Sequence, residues 1–262
     1  MDKNKKRLNI ILLIFAAALA VTALILSLVN ITYSTDVQTQ KLLSSSLIRA
    51  CVGAASVLAI ILTGGSSLLK IKKEGLLKNI LWCVPCLLMA LANFPFSALI
   101  SRTATIERTD LIPLLIFYCF SIALMEESVF RGIIHPLIND KFKNKKLCTV
   151  KAVIISSAIF ALWHLFNLFE GASVPYTLLQ VGYTFLTGCA FAATVDKTHN
   201  IWAAVLLHAI FDFGGFIVFE LGSGNCWDLG FWITTCVCGI ICTVHVCNYL
   251  FKEKNSPQTE GD

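Results

Sequence analysis

Charged residues are scarce in this chain, and their scarcity decides its class. Only 14% of the 262 residues are Asp, Glu, Lys or Arg, whereas a soluble domain carries about 25%. Hydrophobic residues make up 56% of the sequence, and the mean hydropathy is +0.76. Such a chain lacks the polar surface that a soluble protein exposes to water. The composition excludes a soluble enzyme and indicates an integral membrane protein.

The sequence also lacks the signals of several other classes. It has no low-complexity segment and no internal repeat of the kind that many transporters carry. Its 11 cysteines are odd in number and lie mostly within apolar runs, so we expect no disulfide framework. The zinc-protease motif H-E-x-x-H is absent. Lys and Arg lie mostly in short loops between apolar runs, where they indicate membrane topology, so we expect no nucleic-acid partner.

The apolar runs are long enough to span a bilayer, which requires about 20 residues of helix. Only helices and closed barrels can cross lipid, and these runs show no strand-like alternation. The sequence therefore predicts an all-α, polytopic bundle of about eight transmembrane helices. The predicted spans are residues 8–29, 47–69, 79–100, 111–138, 150–169, 176–195, 201–219 and 229–250.

The distribution of basic residues predicts the orientation of this bundle. Eight crossings place 16 of the 21 Lys and Arg residues on the side of both termini. Only Lys41, Arg102 and Arg108 fall in loops on the opposite side. Because cytoplasmic loops are enriched in Lys and Arg, we expect both termini to be cytoplasmic.

Ionisable residues within the spans are candidates for function, because each one costs free energy in lipid unless it is paired or hydrated. We place Arg49 and His245 near the ends of their spans, where long or amphipathic side chains reach the interface. The other candidates lie deeper, and they are Glu126, Glu127, Arg131, His164, His208 and Asp212.

Spacing divides the acidic residues of the fourth span between two roles. Glu126 and Glu127 are adjacent, so their side chains diverge by about 100° on a helix. Arg131 follows Glu127 by four residues, which predicts an ion pair on one helix face. Glu126 is then left to face a cavity, and we interpret it as a general base.

Histidines of two later spans lie at a similar depth. His208 and Asp212 are four residues apart and project from one face of the seventh span. Counted at 1.5 Å per residue, Glu126, His164, His208 and Asp212 lie about 11–20 Å from the cytoplasmic ends of their helices. Three helices therefore bring carboxylates and imidazoles together near mid-membrane.

Three motifs in these spans resemble those of one protease family. Glu126-Glu127-Ser128-Val129-Phe130-Arg131, Phe160-Ala161-Leu162-Trp163-His164 and His208-Ala209-Ile210-Phe211-Asp212 are similar to its E-E-x-x-x-R, F-x-x-x-H and H-x-x-x-N/D motifs. The family is the CAAX prenyl protease type II or bacteriocin-processing Abi (CPBP) family of intramembrane endopeptidases. Eukaryotic members typically have asparagine where this chain has Asp212, and bacterial members have either residue. We divide the chain into N-terminal spans (1–110), a catalytic membrane domain (111–250) and a cytoplasmic tail (251–262).

The resemblance implies peptide-bond hydrolysis by an activated water. Glu126, oriented with His164, would deprotonate the water in a cavity open toward the cytoplasm. His208 would stabilise the oxyanion, Asp212 would orient it, and Glu127 with Arg131 would support the site. No cofactor is certain. A zinc-dependent version stays open, since His164, His208 and a carboxylate are suitable ligands, and the metal ligands stay unknown.

The resemblance also implies the partners and the setting of this activity. The substrate would be a membrane-associated peptide or protein, and we expect the lipid bilayer of a bacterial cell membrane as the location. The alternative of another class is a non-catalytic membrane scaffold or bacteriocin self-immunity protein of the same fold. A proton-coupled transporter is the third reading.

Overall fold

The structure, a computed structural model, describes residues 33–143 and 147–255. Its α-helices are α1 Val37–Leu62, α2 Leu76–Ala92, α3 Phe96–Ile100, α4 Ile112–Val129, α5 His135–Phe142, α6 Cys148–Trp163, α7 Val174–Thr198, α8 Ile201–Leu221 and α9 Leu229–Asn255. The π-helical turn Phe130–Ile134 joins α4 to α5, and 3-10 turns lie at Ser66–Leu69, Thr109–Leu111 and His164–Leu168. The two short strands are β1 Ala104–Ile106 and β2 Gly222–Gly224.

The described helices confirm an all-α membrane bundle. Six helical segments are long and apolar enough to cross a bilayer. They are Val37–Leu62, Thr109–Phe142, Cys148–Leu168, Val174–Thr198, Ile201–Leu221 and Leu229–Glu253. The first predicted span, 8–29, lies outside the described residues. The protein is therefore an integral membrane protein.

The third predicted span, 79–100, is not one helix. The apolar helix α2 has 17 residues and ends at Ala92, and α3 has only five residues. Pro95 explains the break, because proline has no backbone N–H and disfavours helical backbone in the residue before it. At the bend, Asn93 Nδ2 donates a hydrogen bond of 2.8 Å to the Phe211 carbonyl of α8. The interruption is thus fixed against another helix.

The helix α1 begins at Val37, well before the predicted start at residue 47. Asp36 is its N-cap, and Asp36 Oδ2 accepts a hydrogen bond from the Thr39 backbone N–H at 2.8 Å. The Thr39 hydroxyl and the Arg108 guanidinium, which also hydrogen-bond this carboxylate, lower the pKa of Asp36 to about 2. A hydropathy pattern misses this first part of the helix because it is polar, and the cap decides where the helix starts.

The helix α4 packs against both α1 and α8, and this arrangement positions the candidate site. A buried apolar cluster links the three helices, and its members there are Leu42, Leu115, Tyr118, Cys119, Ile122, Ile217, Val218 and Leu221. Gly53 lets α1 approach α4 closely, because a Cβ there would lie 3.0 Å from Leu124 Cγ and 3.2 Å from the Met125 backbone nitrogen. The acidic end of α4 is therefore held against its neighbours.

A small β-structure fixes the other ends of α4 and α8. The strands β1 and β2 pair antiparallel, with Ala104 opposite Gly224 and Ile106 opposite Gly222. Gly224 has φ of +99°, a backbone conformation that favours glycine. The backbone N–H groups of Glu107 and Arg108 both donate to the Leu221 carbonyl, at 2.8 and 2.9 Å. The connections before α4 and after α8 are thereby joined.

Candidate active site

Glu127 and Arg131 form the fully buried ion pair that their spacing predicts. Arg131 Nη1 lies 3.0 Å from Glu127 Oε1, and the two side chains are 1% and 0% exposed. Arg131 Nη2 donates a second hydrogen bond to the Gly188 carbonyl of α7 at 3.1 Å. The guanidinium carbon also lies 4.3 Å from the ring centroid of Phe160 on α6. Arg131 therefore joins the end of α4 to two other helices.

The backbone widens into a π-helical turn where Arg131 lies. Pro136 follows this turn and cannot donate a hydrogen bond to the carbonyl four residues earlier, at Gly132. Gly132 in turn packs tightly on Ile60 of α1, where an added Cβ would overlap the Ile60 side chain. Turns of this kind often occur at functional sites, and this one begins at Phe130, shortly after Glu127.

Glu127 has a second partner that spacing alone did not predict. His208 Nδ1 lies 2.8 Å from Glu127 Oε1, the oxygen that also accepts from Arg131. A carboxylate can only accept in this contact, so Nδ1 carries a proton and the ring orientation is fixed. The other nitrogen of His208, Nε2, therefore points away from the ion pair.

The Nε2 side of His208 faces two carboxylates. The distance is 3.7 Å to Glu126 Oε2 and 3.5 Å to Asp212 Oδ1. Each of these acidic side chains is 12% exposed, whereas Glu127 is fully buried. Asp212 Oδ2 is buried and has no hydrogen-bond partner within residues 33–143 and 147–255. Glu126 and Glu127 thus approach one imidazole from opposite sides, which agrees with their predicted divergence.

Aromatic rings enclose the His208 imidazole. Phe191 stacks on it with ring centroids 5.2 Å apart and an interplanar angle of 24°. Phe160 meets it edge-on at 6.0 Å and also contacts the His164 ring at 5.1 Å. Sequence analysis named neither phenylalanine as a site residue, although Phe160 opens the second motif. For Phe191 the sequence contains no comparable signal.

His164 lies at the start of the 3-10 turn that follows α6. Its Nδ1 is 3.1 Å from the Phe160 carbonyl, so Nδ1–H donates and Nε2 is the free nitrogen. In the described part of the chain, no hydrogen bond joins His164 to Glu126. The two residues share a cavity, and any coupling between them has to pass through a bound molecule.

A cavity of about 430 Å³ connects these side chains. Its lining includes Glu126, His164, His208 and Asp212, and it extends to the segment that joins α6 to α7. The lining residues from that segment and from the start of α7 are Phe166, Asn167, Glu170, Tyr176 and Gln180. The predicted orientation places this segment on the non-cytoplasmic side. The expected cytoplasmic opening of the cavity, like the orientation of the bundle, stays a prediction.

Arg49 lies deeper along its helix than the hydropathy pattern predicts. Because α1 starts at Val37, Arg49 lies about 18 Å along the helix and not near its end. Its side chain lines the same cavity as Glu126. His245, the other residue assigned to a span end, lies within α9 and packs on Trp82 with ring centroids 4.7 Å apart. It does not line the cavity.

A second buried polar cluster lies outside the cavity. His135 Nδ1 is 3.3 Å from Ser156 Oγ, and His135 Nε2 is 3.7 Å from Asp196 Oδ1. The Tyr249 hydroxyl donates to Asp196 Oδ2 at 2.6 Å. The contacts run from Ser to His to Asp, as in a hydrolase triad. However, Ser156 is only 1% exposed, and none of the four residues lines the cavity. The cluster joins α5, α6, α7 and α9.

The arrangement of the His, Cys and carboxylate side chains can be compared with the ligand geometry of a zinc site. Zinc sites use three or four His, Cys or carboxylate ligands that surround one point. Among the described residues, no group of three or more His, Cys, Asp and Glu side chains is arranged to hold a metal ion. His208 instead directs one nitrogen to Glu127 and the other toward Glu126 and Asp212. As placed, these side chains contact one another and do not surround a common point.

The comparisons with known proteins agree with the geometry. Residues 108–214 match the family model of Rce1-like type II CAAX prenyl endopeptidases. The family resemblance is confirmed. The Rce1-like segment contains all six predicted site residues from Glu126 to Asp212, whereas Arg49 lies outside it. No curated protein and no solved structure matches the chain at a significant level. The Rce1-like match supports CAAX-type intramembrane proteolysis as the kind of function.

Proposed function

We propose that the protein is an intramembrane endopeptidase that cleaves a membrane-associated peptide with a water activated by Glu126. One observation carries the proposal. His208 is held by the buried Glu127 with its Nε2 side next to Glu126 and Asp212, and all three of these side chains around Nε2 line one cavity. A base and an electrophilic donor are therefore adjacent where a peptide and a water can enter.

The proposed reaction divides the work between the two sides of the His208 ring. Glu126 takes a proton from water, and the resulting hydroxide attacks the peptide carbonyl carbon. His208, with protons on both nitrogens, donates to Glu127 through Nδ1 and to the developing oxyanion through Nε2. When the C–N bond breaks, Glu126 returns the proton to the leaving amine. All atoms are then accounted for without a covalent enzyme intermediate.

Asp212 and His164 complete the proposed site in different ways. Asp212 Oδ1, 3.5 Å from Nε2, stabilises the positive charge on the His208 ring while the substrate binds. His164 lines the cavity with one nitrogen free, and it contacts the attacking water or the substrate. Glu127 and Arg131 orient His208 and touch no reacting atom. Since the donors are not arranged around a common point, the proposal routes no step through zinc.

The setting of the reaction is part of the proposal. The loop charges support cytoplasmic termini, and we place the protein in a bacterial cell membrane. Residues 111–250 carry the proposed catalytic groups, and residues 1–110 supply α1, which closes one wall of the cavity through Ile48 and Arg49. The cavity reaches the end of the bundle opposite the α5–α6 connection, so we expect the substrate to enter from that end.

The experiment compares purified variants on a library of membrane-embedded peptides, with cleavage measured by mass spectrometry. Glu126→Gln, His164→Ala and His208→Ala should each abolish cleavage without lowering the melting temperature by more than a few degrees. Combining them should add little further loss, because the groups share one transition state. The matched controls are Glu220→Gln and His245→Ala, which change the same residue types outside the cavity and should cleave normally.

Two outcomes would overturn the proposal. Cleavage that survives Glu126→Gln would remove the general base. Unchanged biological activity in all three variants would instead support a non-catalytic scaffold or immunity protein, which has no need of these side chains. A parallel reaction with a chelator, followed by added zinc, tests the metal alternative: loss that zinc restores would contradict the metal-free mechanism.

A further inference from the structure

Arg49 differs from Lys41, Arg108 and Arg131 in having no carboxylate partner among the described residues. Lys41, Arg108 and Arg131 each have a carboxylate oxygen within 3.1 Å. For Arg49 the protein supplies one hydrogen bond, to the Ser45 carbonyl at 3.3 Å, and one ring, that of Tyr118, at 5.4 Å. A guanidinium has five N–H donors. Most of its donors therefore have no acceptor among the described residues.

The location of Arg49 makes its unpaired charge unfavourable in free energy. It lies in the middle of a helix that is apolar enough to cross the bilayer. Arginine at such a depth costs several kcal/mol unless it meets water or an anion. Its side chain is half-buried and lines the cavity, so the cavity is where the charge can be compensated.

A purely structural role would leave a different pattern of contacts. Arg131 shows that pattern, with a carboxylate, a carbonyl and an aromatic ring filling its surroundings. The carboxylates that line the cavity near the site, Glu126 and Asp212, are instead directed at His208. Arg49 is thus the Lys or Arg side chain of a cavity lining that also contains the carboxylates of Glu126, Asp212 and Glu170. A ligand that spans the cavity would meet charges of both signs.

We infer that Arg49 is a specificity-determining residue that binds a carboxylate of the substrate peptide, an inference that rests on the proposed function. The planar guanidinium can hold a carboxylate through two parallel hydrogen bonds, and the Tyr118 ring beneath it limits its motion. The carboxylate is either the C-terminus or an Asp or Glu side chain close to the cleaved bond. The inferred substrates are therefore peptides whose negative charge lies close enough to the cleaved bond for both to fit in the cavity.

The test measures binding in the Glu126→Gln background, where no peptide is cut. Hydrophobic hexapeptides are prepared in four matched forms: free acid or amide at the C-terminus, each with Glu or Gln at one internal position. With Arg49 present, one acidic form should bind about ten- to a hundredfold more tightly than its neutral match. Arg49→Met should abolish this preference, and Arg49→Lys should weaken it, because lysine cannot form the paired hydrogen bonds.

One control variant and three contrary results complete the test. Lys41→Met removes a charge from the same helix outside the cavity and should leave the preference unchanged. Equal binding of all four forms, no binding of any, or a preference that persists in Arg49→Met would overturn the inference. If Arg49→Met does not fold, Arg49→Lys takes its place, and an undiminished preference in that variant would overturn the inference. A preference for acids without cleavage when Glu126 is restored would refute the peptidase proposal alone.

Discussion

Replacing Arg131 by methionine tests how far one buried side chain holds the site together. Methionine keeps most of the length of the arginine stem but removes the guanidinium. The change therefore deletes the hydrogen bond to the Gly188 carbonyl and the contact with the Phe160 ring. It also deletes the ion pair with Glu127, whose Oε1 then keeps only His208 as a partner.

The expected loss of stability comes mainly from the contacts between helices. Glu127 and Arg131 lie one turn apart, so their ion pair persists when the helices separate in lipid and contributes little to the difference. The hydrogen bond to α7 contributes about 1–2 kcal/mol, and the cation–π contact with α6 about 1–2 kcal/mol. Arg131→Met should therefore cost about 2–4 kcal/mol. At about 2–4 °C per kcal/mol, the melting temperature should fall by roughly 5–15 °C.

The assay is thermal unfolding of the purified protein in one detergent, with three variants side by side. Arg131→Lys keeps the charge but not the fork of two donors, so it should fall between the parent and Arg131→Met. Lys41→Met breaks an ion pair whose lysine is 52% exposed, while its partner Glu220, 5% exposed, keeps a hydrogen bond of 2.7 Å from Gln38 Nε2. The variant should therefore cost about 1 kcal/mol. A fall of less than about 2 °C in Arg131→Met, or one equal to that of Lys41→Met, would refute the reasoning.

Three further predictions follow from single positions. Gly188→Ala should destabilise the protein by about 1–3 kcal/mol in the same assay, since the added Cβ would lie 3.1–3.2 Å from Phe160, Arg131 and Ser157. The control is Gly182→Ala, which should be neutral or stabilising because no described atom lies within 4 Å of its Cβ. Asp212→Asn should lose less than about tenfold in cleavage rate, because asparagine can replace the contact to His208 with a hydrogen bond, and a larger loss would show that the charge is required. Reporter fusions at Thr39 and Lys143 should lie on opposite sides of the membrane, and reports from one side would contradict the topology.

Local patterns in the sequence were sufficient for the features that depend on one helix. Hydropathy predicts the bundle because the lipid selects apolar runs of a fixed length. The four-residue spacing predicts the Glu127–Arg131 pair because both residues belong to one turn, which the structure contains at 3.0 Å. The sequence does not distinguish Gly182 from Gly188, which are two glycines of one helix. In the structure an added Cβ meets close neighbours at Gly188 and none within 4 Å among the described residues at Gly182.

Local sequence patterns did not predict the features that depend on contact between helices or on a helix cap. The hydrogen bond from His208 to Glu127 joins residues 81 positions apart, and only the packing of α8 on α4 brings them together. Arg49 was assigned to a span end because hydropathy starts the helix at residue 47, whereas the Asp36 cap starts it at Val37. The break before Pro95 could have been anticipated from the proline, but the apolar run that surrounds it outweighed that signal.

The adjacency of Glu126 and Glu127 has a physical reason that the structure makes visible. In water, a histidine can be oriented by exchangeable hydrogen bonds, but within a bilayer a fixed partner must supply them. Glu127 is that partner, and it is itself neutralised by Arg131, so the charge that orients His208 is balanced before any substrate binds. Glu126, turned by about 100°, reaches the opposite nitrogen of the same ring and stays in contact with the cavity. One dipeptide thus supplies a buried carboxylate that orients the imidazole and a second carboxylate that lines the cavity, where the proposed reaction requires a base.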